Sequence, residues 1–240
     1  MESISNLQSN SVMIFPIDSI HLPIFRRPDA IKILNESFKL QVLTQAEAFL
    51  VNPNQIVFRN GLFEYKKINY FIDELVIDDR RIIIKMTAPS EIIDQFFTSL
   101  KDVLSKIDIR QNRADLAPLL TTYETTCICK LDIDLSKYFS NSLFNEEISS
   151  SILSQIDSHG SKLVMNPYTL RFRLEYLDIP PKLRRNKIAL SDKFLTIEYR
   201  ERTDPSDQIF FTSSPSQTKA HFAILESLEK AFNSAKQVQK

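Results

Sequence analysis

Two glycines, Gly61 and Gly160, are all that this chain of 240 residues contains, where average usage of about 7% would supply many more. A loop that cradles phosphate needs several glycines, so that backbone N–H groups can approach the ligand closely, and neither glycine here has a second one nearby. The Rossmann and Walker types of nucleotide site are therefore excluded on backbone grounds.

Charge narrows the partners next. Thirty Lys and Arg balance thirty Asp and Glu, so no overall field draws the chain toward nucleic acid or an anionic membrane, and such binding would need a local patch. A hydrophobic fraction of 43% with 25% charged residues is that of a folded domain. The first residues lack a basic stretch followed by an apolar one, and the longest apolar runs, such as Ile82-Ile83-Ile84, fall far short of the ~20 residues of a membrane helix. The expectation is a cytoplasmic protein that does not engage a membrane. Cys127 and Cys129 alternate with Ile128 in a strand-like run and read as reduced, semi-buried core thiols.

Periodicity gives the elements. Residues 1–11 are polar and read as a frayed arm before a strand at Val12-Met13-Ile14-Phe15. Pro28, Asp29 and apolar residues from Ile31 to Phe49 at helical spacing predict a helix over 28–50, with a division near Ser37 as the alternative. From Asn52 to Thr87 the runs become short and rich in Val, Ile, Phe and Tyr, an antiparallel meander. Its strongest hairpin signal is Asn60-Gly61, since both residues tolerate positive φ, and Asp78-Asp79-Arg80 predicts the next reversal. Ile93, Phe96, Leu100, Val103 and Leu104 share one face of a helix over 90–107, with Ser90 as its cap.

A polar connection over 108–120 separates this half from a second. Strand alternation returns over 123–134, 170–176 and 195–200, with weak helical character over 144–157 and a closing helix from Ser216 to about Val238. The fold class is α+β: antiparallel meanders each closed by an amphipathic helix, arranged as modules over 12–110 and 120–238 that could form one compact unit. Phe96 and Phe222 each fall six residues after the Ser of a Pro-Ser pair, which raises an internal duplication as one reading and common capping chemistry as the other.

No constellation of catalytic groups emerges. The three histidines, His21, His159 and His221, lie in different elements without metal-ligand spacing, and each reads as a surface residue. Asp73, Glu74, Asp78, Asp79 and Lys85 bracket two strands as nuclease acids would, yet Ile83 stands where an oxygen ligand is needed, two residues before Lys85. No cofactor and no metal site is expected.

The densest local charge is Lys182, Arg184, Arg185 and Lys187, after Pro180-Pro181, which could grip phosphate or an acidic protein surface. Arg171 and Arg173 could extend that patch, although Glu175, Glu198 and Glu201 are as well placed to pair with them. Phe172 and Tyr176 share a face with Leu170 and Leu174 and read as core. The leading expectation is a non-catalytic binding or scaffold subunit of an intracellular assembly, with a protein partner or self-association through sheet edges. The alternative is a nucleic-acid-binding component using 182–187, and a metal-dependent nuclease or other hydrolase stands third.

Overall fold

A computed structural model describes residues 2–17, 19–42, 54–107, 116–135, 151–156 and 167–238. Among the described residues nine strands form a single antiparallel sheet: β1 (Glu2–Ile14), β2 (Gln41–Val42), β3 (Gln55–Tyr65), β4 (Ile68–Asp78), β5 (Arg81–Thr87), β6 (Leu120–Lys130), β7 (Thr169–Leu174), β8 (Lys193–Tyr199) and β9 (Ile209–Ser214). Their order across the sheet is β2-β3-β4-β5-β1-β6-β9-β8-β7. The helices are α1 (Leu22–Phe25), α2 (Pro28–Phe38), α3 (Ser90–Ile107), α4 (Pro181–Arg185) and α5 (Thr218–Val238). The protein is thus mixed α+β with one large sheet, and among the described residues no helix is long and apolar enough to cross a membrane.

The N-terminal residues form no arm. β1 pairs with β5 on one side and β6 on the other, which makes it the strand that joins the two parts of the sheet. Its polar composition suggested solvent, but Ser9 and Ser11 are fully buried, on the face that carries the long helices. Small hydroxyl side chains let the start of a helix approach a strand closely, and the backbone gains a hydrogen-bond ladder on both edges.

Register fixes which face each residue takes. Ser9 lies opposite Thr125, and Met13 opposite Ile82. Met13 belongs to a core shared with Phe96 and Leu100 of α3, while Cys127, two residues beyond Thr125, belongs to one shared with Leu225 and Phe232 of α5. Both long helices therefore lie on the same face. The first core is aromatic at its centre: Phe96 makes edge contacts with Phe38 at 4.9 Å and Phe63 at 5.4 Å. Stacking of Tyr199 on Phe210, at 4.6 Å, anchors the second.

Helix α2 stops at Phe38, where Lys39 takes a left-handed conformation (φ 53°). The predicted helix to residue 50 is cut short because Leu40 turns into the core and Gln41–Val42 pair with β3; residues 43–50 lie outside the described residues. Of the expected helix over 144–157, only 151–156 is described, and most of the connection over 108–120 also lies outside.

Asn60-Gly61 does not form the hairpin. β3 runs through it, with Gly61 opposite Ile72, and the reversal falls at Lys66 and Lys67, both at positive φ (52° and 65°). The later turn lengthens the ladder and brings Phe63 and Ile72 into the core. Gly61 is needed for proximity, since a Cβ there would sit 2.6 Å from Leu40 Cδ2 and 3.0 Å from the Phe38 carbonyl oxygen. Gly61→Val should cost about 1–3 kcal/mol by overpacking, read as a lowered urea midpoint, whereas Asn60→Asp should leave that midpoint nearly unchanged.

The second reversal is where expected. Asp78, buried at the end of β4, accepts from the backbone N–H groups of Arg80 and Arg81 and from Arg81 Nε at 2.7 Å.

Candidate functional site

Arg171, Arg173, Lys182, Arg184, Arg185 and Lys187 all belong to the outer end of the sheet, on edge strand β7 and the β7–β8 connection. They do not converge as one free patch. Arg184 donates to the Asp178 carboxylate at 2.6 Å and to the Ile179 carbonyl at 2.7 Å. Arg173 bonds Asp192 at 2.8 Å and Glu175 at 3.1 Å. Arg171 stacks its guanidinium on the Phe194 ring, 4.0 Å from the centroid. Lys182, Arg185 and Lys187 remain exposed around α4, and the loop that carries them is tied to the β4–β5 turn, where the Arg80 guanidinium donates to the Asn186 carbonyl.

The surroundings of these cations differ from the sequence expectation. Phe172, Leu174 and Tyr176 are not core: they are 40%, 44% and 45% exposed. Their alternation is that of a half-buried strand, but β7 lies beyond the reach of α5, and only Leu170 touches the second core. Leu177 is 98% exposed, and Phe194 and Phe211 on β8 and β9 are also open to solvent. This end of the sheet thus exposes Phe172 and Leu174 on one face and Phe194 with the arginines on the other, along a strand that among the described residues has a neighbour on one edge alone.

Of the carboxylates considered as nuclease acids, Asp73, Glu74 and Asp78 are engaged in ladder and turn contacts, and Asp79 is exposed. Glu74 lies opposite Lys85 and pairs with Arg59 at 3.0 Å, Asp73 accepts from the Thr87 hydroxyl at 3.1 Å, and Asp78 holds the turn. Among the described residues no group of three or more His, Cys, Asp or Glu is arranged to hold a metal ion.

A second cluster has no counterpart in the sequence reading. His221, expected at the surface, is 0% exposed, on the face of α5 that meets the sheet. His21 is exposed as expected, and His159 lies outside the described residues. Ser214 Oγ is 2.7 Å from His221 Nδ1, Thr212 Oγ1 is 3.0 Å from Nε2, and Cys127 Sγ is 3.5 Å from Nε2. Both ring nitrogens are engaged, so the imidazole is buried without a stranded polar atom. The two thiols are free and buried. A hydrogen bond from Cys129 holds the Cys127 thiol below the ordinary thiol range, opposed by burial and helped by His221 and Thr212. Cys129, facing that sulfur, is pushed up. Sequence spacing could have flagged the histidine: His221 lies four residues before Leu225 on the helix face that the core claims.

Next to it the two long helices meet at their N-termini. Ser90 N–H donates to Thr218 Oγ1 at 2.9 Å, and Thr218 N–H donates to Ser90 Oγ at 2.9 Å. Each helix is capped by the first residue of the other, and Ser9 Oγ of β1 lies 3.1 Å from Thr218 Oγ1 beneath them. Tyr123 donates to Asp94 at 2.7 Å, tying β6 to α3; burial and that carboxylate raise its pKa to about 12. Ser90, Thr218 and His221 of this cluster are buried.

No protein-family model matches this chain, and a search of curated proteins finds no match.

Proposed function

We propose that this protein is a non-catalytic binding or scaffold subunit of a cytoplasmic assembly, docking through the outer end of its sheet. The carrying observation is edge strand β7, whose Phe172 and Leu174 are exposed on one face, followed by exposed Tyr176 and Leu177, with Phe194 exposed on the other face. An edge strand offers unpaired backbone groups to an extended segment, and alternate apolar side chains give that segment pockets to fill. Natural edges are normally blunted by charge or covered, so an apolar edge of this kind needs a reason. The two buried free thiols support a reducing compartment.

The finer architecture supports two related modules merged through β1 and β6. Strands β3-β4-β5 and the helix α3 that follows them occupy positions mirrored by β7-β8-β9 and α5 about the β1–β6 pair, and the reciprocal caps at Ser90 and Thr218 fall where such an axis would pass.

Affinity capture from the source cell, with and without nuclease, tests the functional reading. The wild-type chain should retain a protein partner after nuclease treatment, and Phe172→Lys/Leu174→Lys should lose it while melting at the same temperature. Capture that disappears with nuclease, and with Lys182, Arg185 and Lys187 all changed to Ala, would move the reading to nucleic acid.

A further inference from the structure

We infer that the occupant of the β7 edge is the same edge of a second copy of this chain, paired antiparallel across a two-fold axis perpendicular to the sheet at Leu174, the last residue of β7, so that the end of β7 faces residues 175–178 of the second copy. The inference rests on the functional reading above for the exposure of the edge, and adds the partner and the register.

Antiparallel pairing about a perpendicular axis keeps the same face of both sheets on one side, so directly opposed residues share a face. Within β7 that leaves few registers. An axis on Arg171 sets Arg171 against itself, one on Phe172 sets Arg171 against the partner's Arg173, and one on Arg173 sets Arg173 against itself. Like charges directly opposite one another oppose pairing. Axes on Thr169 and Leu170 avoid like charges but leave Arg173 without an opposed carboxylate, whereas an axis on Leu174 supplies one: Arg173 faces Glu175 of the second copy twice over, Phe172 faces Tyr176 twice, and Leu174 meets Leu174. The four aromatic rings and two leucines so joined are those left exposed on one face of the single chain. The 3.1 Å contact between Arg173 and Glu175 shows both side chains on the same face of an extended segment, as this register requires. Asp192 already holds Arg173 Nε at 2.8 Å, orienting the guanidinium at the edge.

The contact is a single pair of short strands, smaller than a standard interface of ~1,200–2,000 Å², so association should depend on concentration within the range accessible to sedimentation or light scattering. The apparent mass of the wild-type chain should double on concentration. Arg173→Glu alone, and Glu175→Arg alone, should each stay monomeric, because each sets like charges together at both contacts. Mixing these two variants should restore dimers, as heterodimers only, since the two carboxylates of one chain then face the two guanidinium groups of the other. The double variant Arg173→Glu/Glu175→Arg should dimerise by itself. Every substituted position is exposed, and unchanged melting temperatures would confirm that the monomers are folded. A wild-type chain that stays monomeric at the highest concentration overturns the inference, as does a dimer indifferent to the charge variants. A monomeric chain that still loses a captured protein on Phe172→Lys/Leu174→Lys would sink the self-pairing and leave the scaffold reading standing. A charge-switched dimer with no captured protein would do the reverse.

Discussion

Phe96→Ala should lower the unfolding free energy by about 3–5 kcal/mol, the range for a fully buried phenylalanine whose surroundings cannot collapse into the space. Phe96 is 0% exposed and sits between Phe38 of α2 and Phe63 of β3. The cavity would therefore open where helix, helix and sheet meet, and three separate elements would have to move to fill it. Chemical denaturation followed by circular dichroism reads the change as a shifted midpoint with an unaltered slope. Phe96→Leu, which retains most of the volume, should recover a large part of the loss. A Phe96→Ala chain that melts like wild type would mean that this ring does not fill the centre of the first core.

His221→Ala should be comparably damaging, by about 3–5 kcal/mol, through a different mechanism. It removes the ring that Ser214 and Thr212 bond at 2.7 and 3.0 Å, and a buried hydroxyl left without its partner costs about 1–3 kcal/mol. It also opens a space beside Cys127, and the cavity adds to that cost. Because the loss is one of pairing as well as volume, His221→Leu should restore packing yet recover only part of the stability. Replacing Ser214 by Ala in that background should cost less than the same replacement in the wild-type chain, a coupling that a double-mutant cycle measures. His21→Ala, at an exposed position, should stay within about 0.5 kcal/mol of wild type. Additive effects of the His221 and Ser214 substitutions would show that the network is not the source of the stability.

Local pattern decides a segment when its own side chains supply most of the energy. Helix α3 occupies 90–107 as its 3.6-residue periodicity requires, and the strands around Tyr123 and Leu195 follow their two-residue alternation; the Ser90 hydroxyl, expected to cap α3, instead accepts from Thr218 N–H at the start of α5. Asp78 shaped its turn through hydrogen bonds reaching only two and three residues along the chain, which is why that reversal was legible. The absence of glycine-rich phosphate loops was equally a matter of residue identity. In each case the deciding interactions lie within a few residues of one another.

Other features depended on what the chain met elsewhere. β1 has the composition of an arm and becomes an inner strand because β5 and β6 bond it from both sides. The Asn60-Gly61 pair has the chemistry of a turn but continues a strand, since Leu40 and Phe38 need a residue without a Cβ there. His221 lies on a helix whose opposite face is wet; its spacing from Leu225 places it on the buried face, and the docking of α5 on Thr212 and Cys127 supplies its partners. Phe172 and Leu174 alternate like core residues, but a period of two says only that one face differs from the other; whether that face is covered depends on which other segments pack on it. Sequence by itself determined which segments could be helix or strand and, through its two glycines, that no glycine-rich phosphate loop is present. Tertiary structure alone decided which apolar faces were covered and which polar groups were paired, because burial and pairing are properties of two segments brought together, and neither segment carries them alone.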